Sequence, residues 1–312
     1  MNASPGDAVG IAASLRELIA LRDRVRNVAA QRLANGDALP GAHVSNRRSR
    51  GMEFAEARLY RPGDDVRHID WRQTARRGKA YTKLFQEEHE RPVSLLVDLG
   101  PSMRFGTRTA FKSVAAARAA ALLAWTAAAA GDRIGGVVWN GGTHHEIRPQ
   151  SRHHGALALL REVAAASSQP PGGKADLVVP VRALTRTLRP GSTVILLSDF
   201  SSLGTVSASD IAALSSHADV VLLHLYDTFE ADAPPPGCYR MTDGERSVTL
   251  DLRTERARLA YAAAFVARRD ELDRLARAAG ARLCRLATHD DPRCLLGLLS
   301  GRASIASRRV AA

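Results

Sequence analysis

The sequence predicts an α/β protein built on a doubly wound, mostly parallel sheet with helices on both faces, preceded by an N-terminal helical and irregular extension. From Pro92 onwards, continuously apolar, strand-like runs alternate with helix-like segments, which is typical of a parallel sheet covered on both faces. Of the 312 residues, 45% are hydrophobic, which suffices for a large core. The three cysteines are widely spaced and form no C-x-x-C pair, so neither a disulfide framework nor a zinc knuckle is indicated.

The N-terminal extension begins with an amphipathic helix. Apolar residues recur at helical spacing across 9–33, with arginines between them. Turn residues follow at 35–41, and the basic loop SNRRSRG follows at 45–51. We therefore expect residues 1–92 to form an extension with a charged signature segment, residues 93–300 to form the sheet domain, and residues 301–312 to form a basic, disordered tail.

The sheet domain is predicted from its strand-like runs. VSLLVDLG, STVILLSDF and DVVLLHLYD predict buried strands, and RIGGVVWN with HHEIR predicts a hairpin through an Asn-Gly-Gly turn. SVTLDL and RLCRLAT predict two later strands. Helices are expected at 109–130, 155–166, 177–188, 211–216 and 254–279. The run AAALLAWTAAAA is too short to span a bilayer, and the first residues show no signal-peptide pattern, so we expect a cytoplasmic protein without a transmembrane segment.

The net charge of +12 is concentrated at the two ends of the chain, while the central region is balanced. Basic ends are able to contact nucleic acid, an acidic lipid surface or an acidic protein face. Aromatic side chains that would stack on bases are nearly absent from both ends. We therefore regard nucleic acid as an unlikely partner and favour a solvated basic surface.

Two of the predicted strands end in aspartate followed by small residues, Asp98 in VDLGPSM and Asp199 in LLSDFSS. In open parallel sheets, ligands bind at the carboxyl ends of strands, beside the topological switch point. Hard divalent cations prefer oxygen ligands. The two strand ends are therefore a candidate cation site.

The segment YRPGDDVRHIDW, residues 60–71, carries three aspartates beside several basic residues. Asp64 or Asp65 is placed to N-cap a helix that continues to Gly78, and we expect Ile69 and Trp71 to dock on the main domain. One cap does not require three aspartates, so a second hypothesis is a network that holds the segment and presents a binding face. No nucleophile–base pair accompanies the aspartates, which favours an interface over catalysis. The candidate interface residues are Arg58, Asp64, Asp65, Arg67, Asp70 and Trp71, with Arg72 as a further partner of the carboxylates.

These segments resemble known families. VDLGPSM resembles the metal-ion-dependent adhesion site of von Willebrand factor A domains, written D-x-S-x-S, and LLSDFSS is similar to the strand end that supplies its second aspartate. The run GMEFAEARLYRPGDDVRHIDWRQTAR, followed by EEHE and VSLLVD, closely resembles the signature of the domain of unknown function 58 family. The resemblance extends from about Leu15 to the C-terminus. It implies a von Willebrand factor A-like fold and a partnership with MoxR-type AAA+ ATPases and other von Willebrand factor A-domain proteins; it implies no catalytic activity.

The chain departs from the adhesion-site pattern at two positions. Gly100 replaces the first serine, and Lys174 or Ala175 stands where the family site uses a threonine. The residues that remain are Asp98, Ser102 and Asp199. They leave two alternatives open: a weak Mg²⁺ site, which a partner's carboxylate could complete, or a vestigial site in which Asp98 caps the following turn and Ser102 bonds backbone.

Taken together, the residues and the resemblance predict a non-enzymatic protein-interaction module with a degenerate metal-ion-dependent adhesion site. The resemblance implies that it assists the assembly or the metal or cofactor maturation of client complexes. Its expected location is the cytoplasm, or the periphery of the inner membrane through its partners. The alternative is a divalent-metal-dependent hydrolase or nuclease that uses both aspartate clusters, because two-metal sites need several carboxylates close together.

Overall fold

The computed structural model describes residues 10–34, 52–61, 65–87, 91–173, 176–201, 207–242 and 247–300. The chain forms two compact units. The core unit comprises Met1–Pro40 and Arg91–Ala312, and the signature unit comprises Gly41–Glu90. The predicted tail at 301–312 lies outside the described residues.

The helices and strands are numbered in chain order. The helices are α1 (Leu15–Ala34), α2 (Trp71–Arg77), α3 (Lys112–Ala129), α4 (Arg152–Ser168), α5 (Val178–Thr187), α6 (Ala208–Ser215), α7 (Thr228–Ala231) and α8 (Glu255–Ala278). The strands are β1 (Met52–Leu59), β2 (Tyr81–Glu87), β3 (Pro92–Asp98), β4 (Arg133–Trp139), β5 (His144–Ser151), β6 (Ser192–Ser198), β7 (Ala218–Tyr226), β8 (Cys238–Thr242), β9 (Ser247–Asp251) and β10 (Arg282–Ala287).

The core unit is organised around a six-stranded sheet with the order β10-β7-β6-β3-β4-β5. All neighbouring pairs are parallel except β4 and β5, which form an antiparallel edge. The chain proceeds from β3 towards one edge and then returns to β6 on the other side of β3. This reversal puts the topological switch point between the carboxyl ends of β3 and β6. The predicted α/β class, with a mostly parallel sheet between helices, is confirmed.

One face of the sheet is covered by α3, α4 and α1. Almost every residue of α3 is buried, and its many alanines let neighbouring elements approach closely. Leu18, Leu21 and Val25 of α1 are buried in the same core, and the indole Nε1 of Trp125 donates a 3.0 Å hydrogen bond to the Leu18 carbonyl. Helix α1 therefore belongs to the core unit, and the predicted division that grouped it with the signature segment in residues 1–92 is wrong.

The opposite face is covered by α5, α6 and α8. These helices contribute to a second buried apolar cluster, which also contains the sheet side chains that point to this face. The helix residues in it include Leu184, Ile211, Leu214 and Leu272. The sheet is thus doubly wound, as predicted. Among the described residues, none of the helices combines the length and the hydropathy that crossing a bilayer requires.

Two antiparallel hairpins lie outside the central sheet. The strand predicted from SVTLDL forms as β9, but it pairs with β8 and does not extend the parallel sheet. In the signature unit, β1 pairs with β2, a hairpin that the sequence analysis did not predict. This hairpin supports the segment between its strands, because the Asp70 amide donates to the Tyr81 carbonyl and Ile69 forms a bridge with Thr82.

Candidate functional site

The predicted pair of strand-end carboxylates forms. Asp98 is the last residue of β3, and Asp199 follows the last residue of β6; the two strands are paired in parallel register up to Val97 and Leu197. Both side chains are buried, with exposed fractions of 2% and 5%. They meet at the switch point of the sheet, where the strand order predicts a ligand site.

The Asp98 carboxylate is engaged at both oxygens. Oδ1 accepts a 2.8 Å hydrogen bond from the Gly100 amide, and Oδ2 accepts a 2.5 Å hydrogen bond from the Ser198 hydroxyl. Burial, together with the nearby charge of Asp199, raises the pKa of Asp98 to about 7, although these hydrogen bonds oppose the shift. The bond to Gly100 closes a tight turn at the end of β3, whereas Ser102, which the vestigial alternative expected to bond backbone, donates its hydroxyl to Asp199.

The Asp199 carboxylate is held by a hydroxyl, an amide and an ammonium group. Oδ1 accepts hydrogen bonds from the Ser102 hydroxyl at 3.1 Å and from the Ser201 amide at 2.9 Å. Oδ2 accepts from Nζ of Lys112 at 2.7 Å. Burial alone would raise the pKa of Asp199, but the Lys112 charge and these hydrogen bonds outweigh it and hold the pKa below its usual value. Asp199 is therefore ionised at neutral pH.

Lys112, the first residue of α3, reaches a second carboxylate. Its Nζ donates to Oε1 of Glu230 at 2.8 Å, in addition to Asp199. Burial alone would lower the pKa of Lys112, but the two carboxylates outweigh that effect and raise it. The ammonium is consequently charged, and it joins α3, the end of β6 and α7.

A further buried carboxylate, Asp227, ties the loop before α3 to the ends of β7 and β10. It accepts hydrogen bonds from the amide and hydroxyl of Thr107, from the hydroxyl of Thr288 and from the Phe229 amide. Burial would raise the pKa of Asp227, but these hydrogen bonds outweigh it and lower the pKa. Asp227 and Glu230 also form the capping box of α7, which orients Glu230 towards Lys112.

This donor set does not fit the Mg²⁺ that the resemblance implies. Magnesium needs oxygen atoms at about 2.0–2.1 Å in near-octahedral geometry, whereas the oxygens of Asp98 and Asp199 already accept hydrogen bonds and an ammonium group occupies the space beside Asp199. Gly100 offers no side-chain oxygen. Lys174 and Ala175 lie outside the described residues. Within the described part of the chain, no group of three or more His, Cys, Asp or Glu side chains is arranged to hold a metal ion.

In the signature unit, the aspartates act as helix caps. Oδ1 of Asp65 accepts the Arg67 amide and caps a 3-10 turn at Val66–His68. Oδ1 of Asp70 accepts the amides of Arg72 and Gln73 and caps α2. The prediction of a single helix from this point to Gly78 is therefore wrong, because the extended backbone at Ile69 separates two short helical turns. Gly78, with φ of 67°, ends α2 in the left-handed conformation.

The predicted network of arginines and carboxylates forms in part. Asp65 and Arg67 are 3.8 Å apart, and the Arg67 side chain is 89% exposed. Trp71 is 71% exposed, and its expected docking on the main domain stays a prediction. Asp70 binds the Arg72 amide and not the guanidinium that was expected. The side chain of Arg58 and the whole of Asp64 lie outside the described residues.

Sequence reasoning missed Lys112, Glu230, Asp227 and Thr107. Lys112 lies 87 residues from Asp199 in sequence, and no local pattern joins them. One signal was available: a lysine stood at the start of an otherwise apolar helix, where the helix dipole disfavours a cation.

Comparison with known proteins gives the relationships of the chain. The model of the family described as "Protein of unknown function DUF58" matches residues 56–271. Uncharacterized protein Rv1480 of Mycobacterium tuberculosis is 30% identical over 255 residues, which cover 81% of this chain and 80% of that protein.

Solved structures were also matched. BatB from Bacteroides thetaiotaomicron is 17% identical, with 68% of this chain and 96% of BatB covered and a TM-score of 0.45. A von Willebrand factor type A structure from Catenulispora acidiphila is 13% identical, with 71% of this chain and 43% of that chain covered and a TM-score of 0.38. The family model spans five of the six strands of the sheet together with most of the signature unit. This chain belongs to the DUF58 family.

Proposed function

We propose that this protein is a non-enzymatic interaction module that partners a MoxR-type AAA+ ATPase and binds it through the signature unit. The observation that carries the proposal is the exposure of the Trp71 and Arg67 side chains on one segment, whose backbone is held by two aspartate caps. Tryptophan and arginine are the residues most enriched among side chains that dominate binding energy at interfaces.

The chemistry of this surface suits an acidic partner. Helix α2 reads WRQTARR, so it carries three arginines and no acidic residue. Arg72, Arg76 and Arg77 are exposed, and the Arg77 guanidinium lies over the Tyr81 ring at 5.3 Å. Cationic and aromatic groups on a fixed backbone bind carboxylates and apolar side chains of a partner at a low ordering cost.

The strand-end carboxylates support an interaction role over catalysis. Asp98, Asp199 and Glu230 are engaged by structural hydrogen bonds and by the Lys112 ammonium, so each carboxylate has a structural partner that requires neither substrate nor metal ion. The aspartates of the signature segment, Asp65 and Asp70, accept backbone amides in caps. These contacts give no support to the alternative of a divalent-metal-dependent hydrolase or nuclease.

The proposed role is assistance in the assembly, or the metal or cofactor maturation, of client complexes, in the cytoplasm or at the periphery of the inner membrane through partners. This part of the proposal rests on the family resemblance of the signature segment. The degenerate adhesion site at Asp98, Ser102 and Asp199 then shapes the strand-end face of the module. The competing hypothesis is that this site binds Mg²⁺ weakly, or binds it once a partner supplies a further ligand, and a metal titration tests it.

The test is affinity capture of the tagged full chain from its native lysate, with nuclease added, in magnesium and again in chelator. Wild type is compared with Trp71→Ala and Arg67→Ala. The matched control is Leu259→Ala, which removes another exposed apolar side chain from α8 in the core unit. All variants are checked for folding by circular dichroism.

The expected result is that wild type and the Leu259 variant recover an AAA+ ATPase, and that the Trp71 and Arg67 variants recover at least tenfold less. Recovery that is equal for all four proteins would assign the interface to another surface. If wild type recovers no AAA+ ATPase, the proposed partnership is wrong. Because the ATPase itself uses magnesium, recovery that needs magnesium would indicate a cation site completed by the partner only if Asp199→Asn also abolishes it.

A further inference from the structure

The Lys112 ammonium lies in a position that is unfavourable for a cation. Its side chain is 2% exposed, and a buried charge is costly unless it is paired and hydrogen-bonded. Lys112 is also the first residue of α3, where the positive end of the helix dipole repels a cation. A lysine at such a position must be compensated by specific anionic partners.

Those partners come from two different strand ends. Asp199 follows β6 and contacts Nζ at 2.7 Å, while Glu230 lies on α7 after β7 and contacts it at 2.8 Å. The ring of Phe105 faces the same ammonium, with 5.7 Å between Nζ and the ring centroid, within the range of a cation–π contact. The ammonium is therefore surrounded by two carboxylates and an aromatic face.

We propose that Lys112 is the built-in cation of the strand-end site and excludes divalent metal from it. The ammonium neutralises Asp199 and Glu230 and links the ends of β6 and β7 to α3, which is the structural work that a bound divalent ion would do. A metal ion that coordinates Asp199 would have to displace the ammonium from Oδ2, and the two positive charges would repel each other in a buried site.

The missing oxygen at Gly100 supports the same conclusion. A Cβ atom at this position would lie 3.0 Å from Cζ3 of Trp139 and 3.1 Å from Oδ1 of Asp98, so the loop is packed for glycine. The strand-end site thus differs from a metal site in two independent ways. The serine ligand expected at Gly100 is absent, and the Lys112 ammonium of the chain itself contacts Asp199.

The test is a titration of the purified full chain with Mn²⁺, in which free Mn²⁺ is followed by electron paramagnetic resonance. Wild type, Lys112→Met and the double variant Lys112→Met/Asp199→Asn are compared. Methionine keeps most of the length of the lysine side chain and removes its charge. We expect no Mn²⁺ retention by wild type in the low millimolar range, at least tenfold tighter binding by the Lys112 variant, and loss of that binding in the double variant.

Wild-type binding that disappears in Asp199→Asn would overturn the proposal, as would a folded Lys112 variant that binds no more Mn²⁺ than wild type. If Lys112→Met does not fold, Lys112→Met/Glu230→Gln takes its place, because it leaves one buried carboxylate fewer without a partner. The melting temperature of wild type gives a second readout: it should be the same in Mg²⁺ and in chelator, and a Mg²⁺-dependent rise that Asp199→Asn abolishes contradicts the proposal. The Mn²⁺ titration uses no partner protein, so the proposal about Lys112 and the proposed ATPase partnership are tested independently of each other.

Discussion

Nζ of Lys112 lies 2.7 Å from Oδ2 of Asp199 in a region where both side chains are almost completely buried. The contact joins the start of α3 to the carboxyl end of β6, at the switch point of the sheet. It converts a strand end with the appearance of a metal site into an internal ion pair. The chemistry of this site is therefore set by a residue that the local motif does not contain.

The first prediction concerns stability. Lys112→Met leaves Asp199 and Glu230 without their common cation, and breaking a buried ion pair from one side costs about 3–5 kcal/mol. The double variant Lys112→Met/Asp199→Asn should be more stable than the single variant, because the uncompensated charge of Asp199 is also removed. Chemical denaturation gives both free energies of unfolding. The control is Lys79→Met, an exposed lysine, which should change stability by less than about 0.5 kcal/mol. If the loss of stability in the double variant equals the sum of the losses in Lys112→Met and Asp199→Asn, the two side chains are not coupled.

The second prediction separates the capping role of Asp70 from a role in binding. Asp70→Ala removes the acceptor for the amides of Arg72 and Gln73 and should cost about 1 kcal/mol, whereas Asp70→Asn keeps most of the cap. Hydrogen exchange of those two amides provides the measurement, with Gln73→Ala as the control that keeps the acceptor.

Partner capture with the same variants tests the charge of Asp70. An Asn variant that keeps amide protection and captures its partner normally would assign Asp70 to capping alone. An Ala variant with unchanged protection would contradict the cap.

Much of the core unit was predictable, because its signals are local. The runs that end in Asp98 and Asp199 are uniformly apolar and short, so they predict buried parallel strands, and the topology rule then brings their ends together. The signature unit was less predictable. Apolar residues at helical spacing predict one continuous helix there, but the backbone is extended at Ile69, where it pairs with Thr82 in β2. Because β2 was not predicted, the interruption of the helix at Ile69 was not predicted either.

The site was predicted only as far as its carboxylates. Asp98, Ser102 and Asp199 meet as expected, since Ser102 donates to Asp199. Lys112 and Glu230 reach them only through tertiary packing across large sequence separations. The exposure of Trp71 also follows from tertiary structure, because sequence shows an apolar residue without showing what covers it.

The third prediction concerns pH and His224. This histidine is buried in β7 among Phe200, Tyr226 and Phe265, and burial lowers its pKa to about 4 from 6.5. Between pH 6.5 and about pH 4, His224 takes up a proton in the unfolded chain but not in the folded chain. The contribution of neutral His224 to the free energy of unfolding is therefore complete above about pH 6.5 and is lost as the pH falls towards about 4.

The variant His224→Phe lacks this titration. As the pH falls from 7 to 4, its free energy of unfolding should rise by up to about 3 kcal/mol relative to that of wild type. Asp98, whose raised pKa acts in the opposite direction, is present in both proteins and cancels in the difference. Urea denaturation at several pH values measures it. Stability curves that remain parallel would show that His224 does not titrate in this range.

The fourth prediction concerns an attempt to rebuild the adhesion-site motif. Gly100→Ser restores the missing hydroxyl, but its Cβ atom would press against Trp139, which is buried, and against Asp98. Crowding of this kind costs about 1–3 kcal/mol, and the Lys112 ammonium would still repel a metal ion. We therefore expect Gly100→Ser to lose stability without gaining Mn²⁺ binding.

Gly237→Ser is the matched control, because its Cβ atom would make only ordinary contacts of 3.4 Å or more with Tyr239, and it should be within about 0.5 kcal/mol of wild type. Adding Lys112→Met to Gly100→Ser supplies a hydroxyl and removes the competing charge together, so this double variant should bind Mn²⁺. If Gly100→Ser alone bound the ion, the missing hydroxyl, and not the lysine, would be the barrier to metal binding at these strand ends.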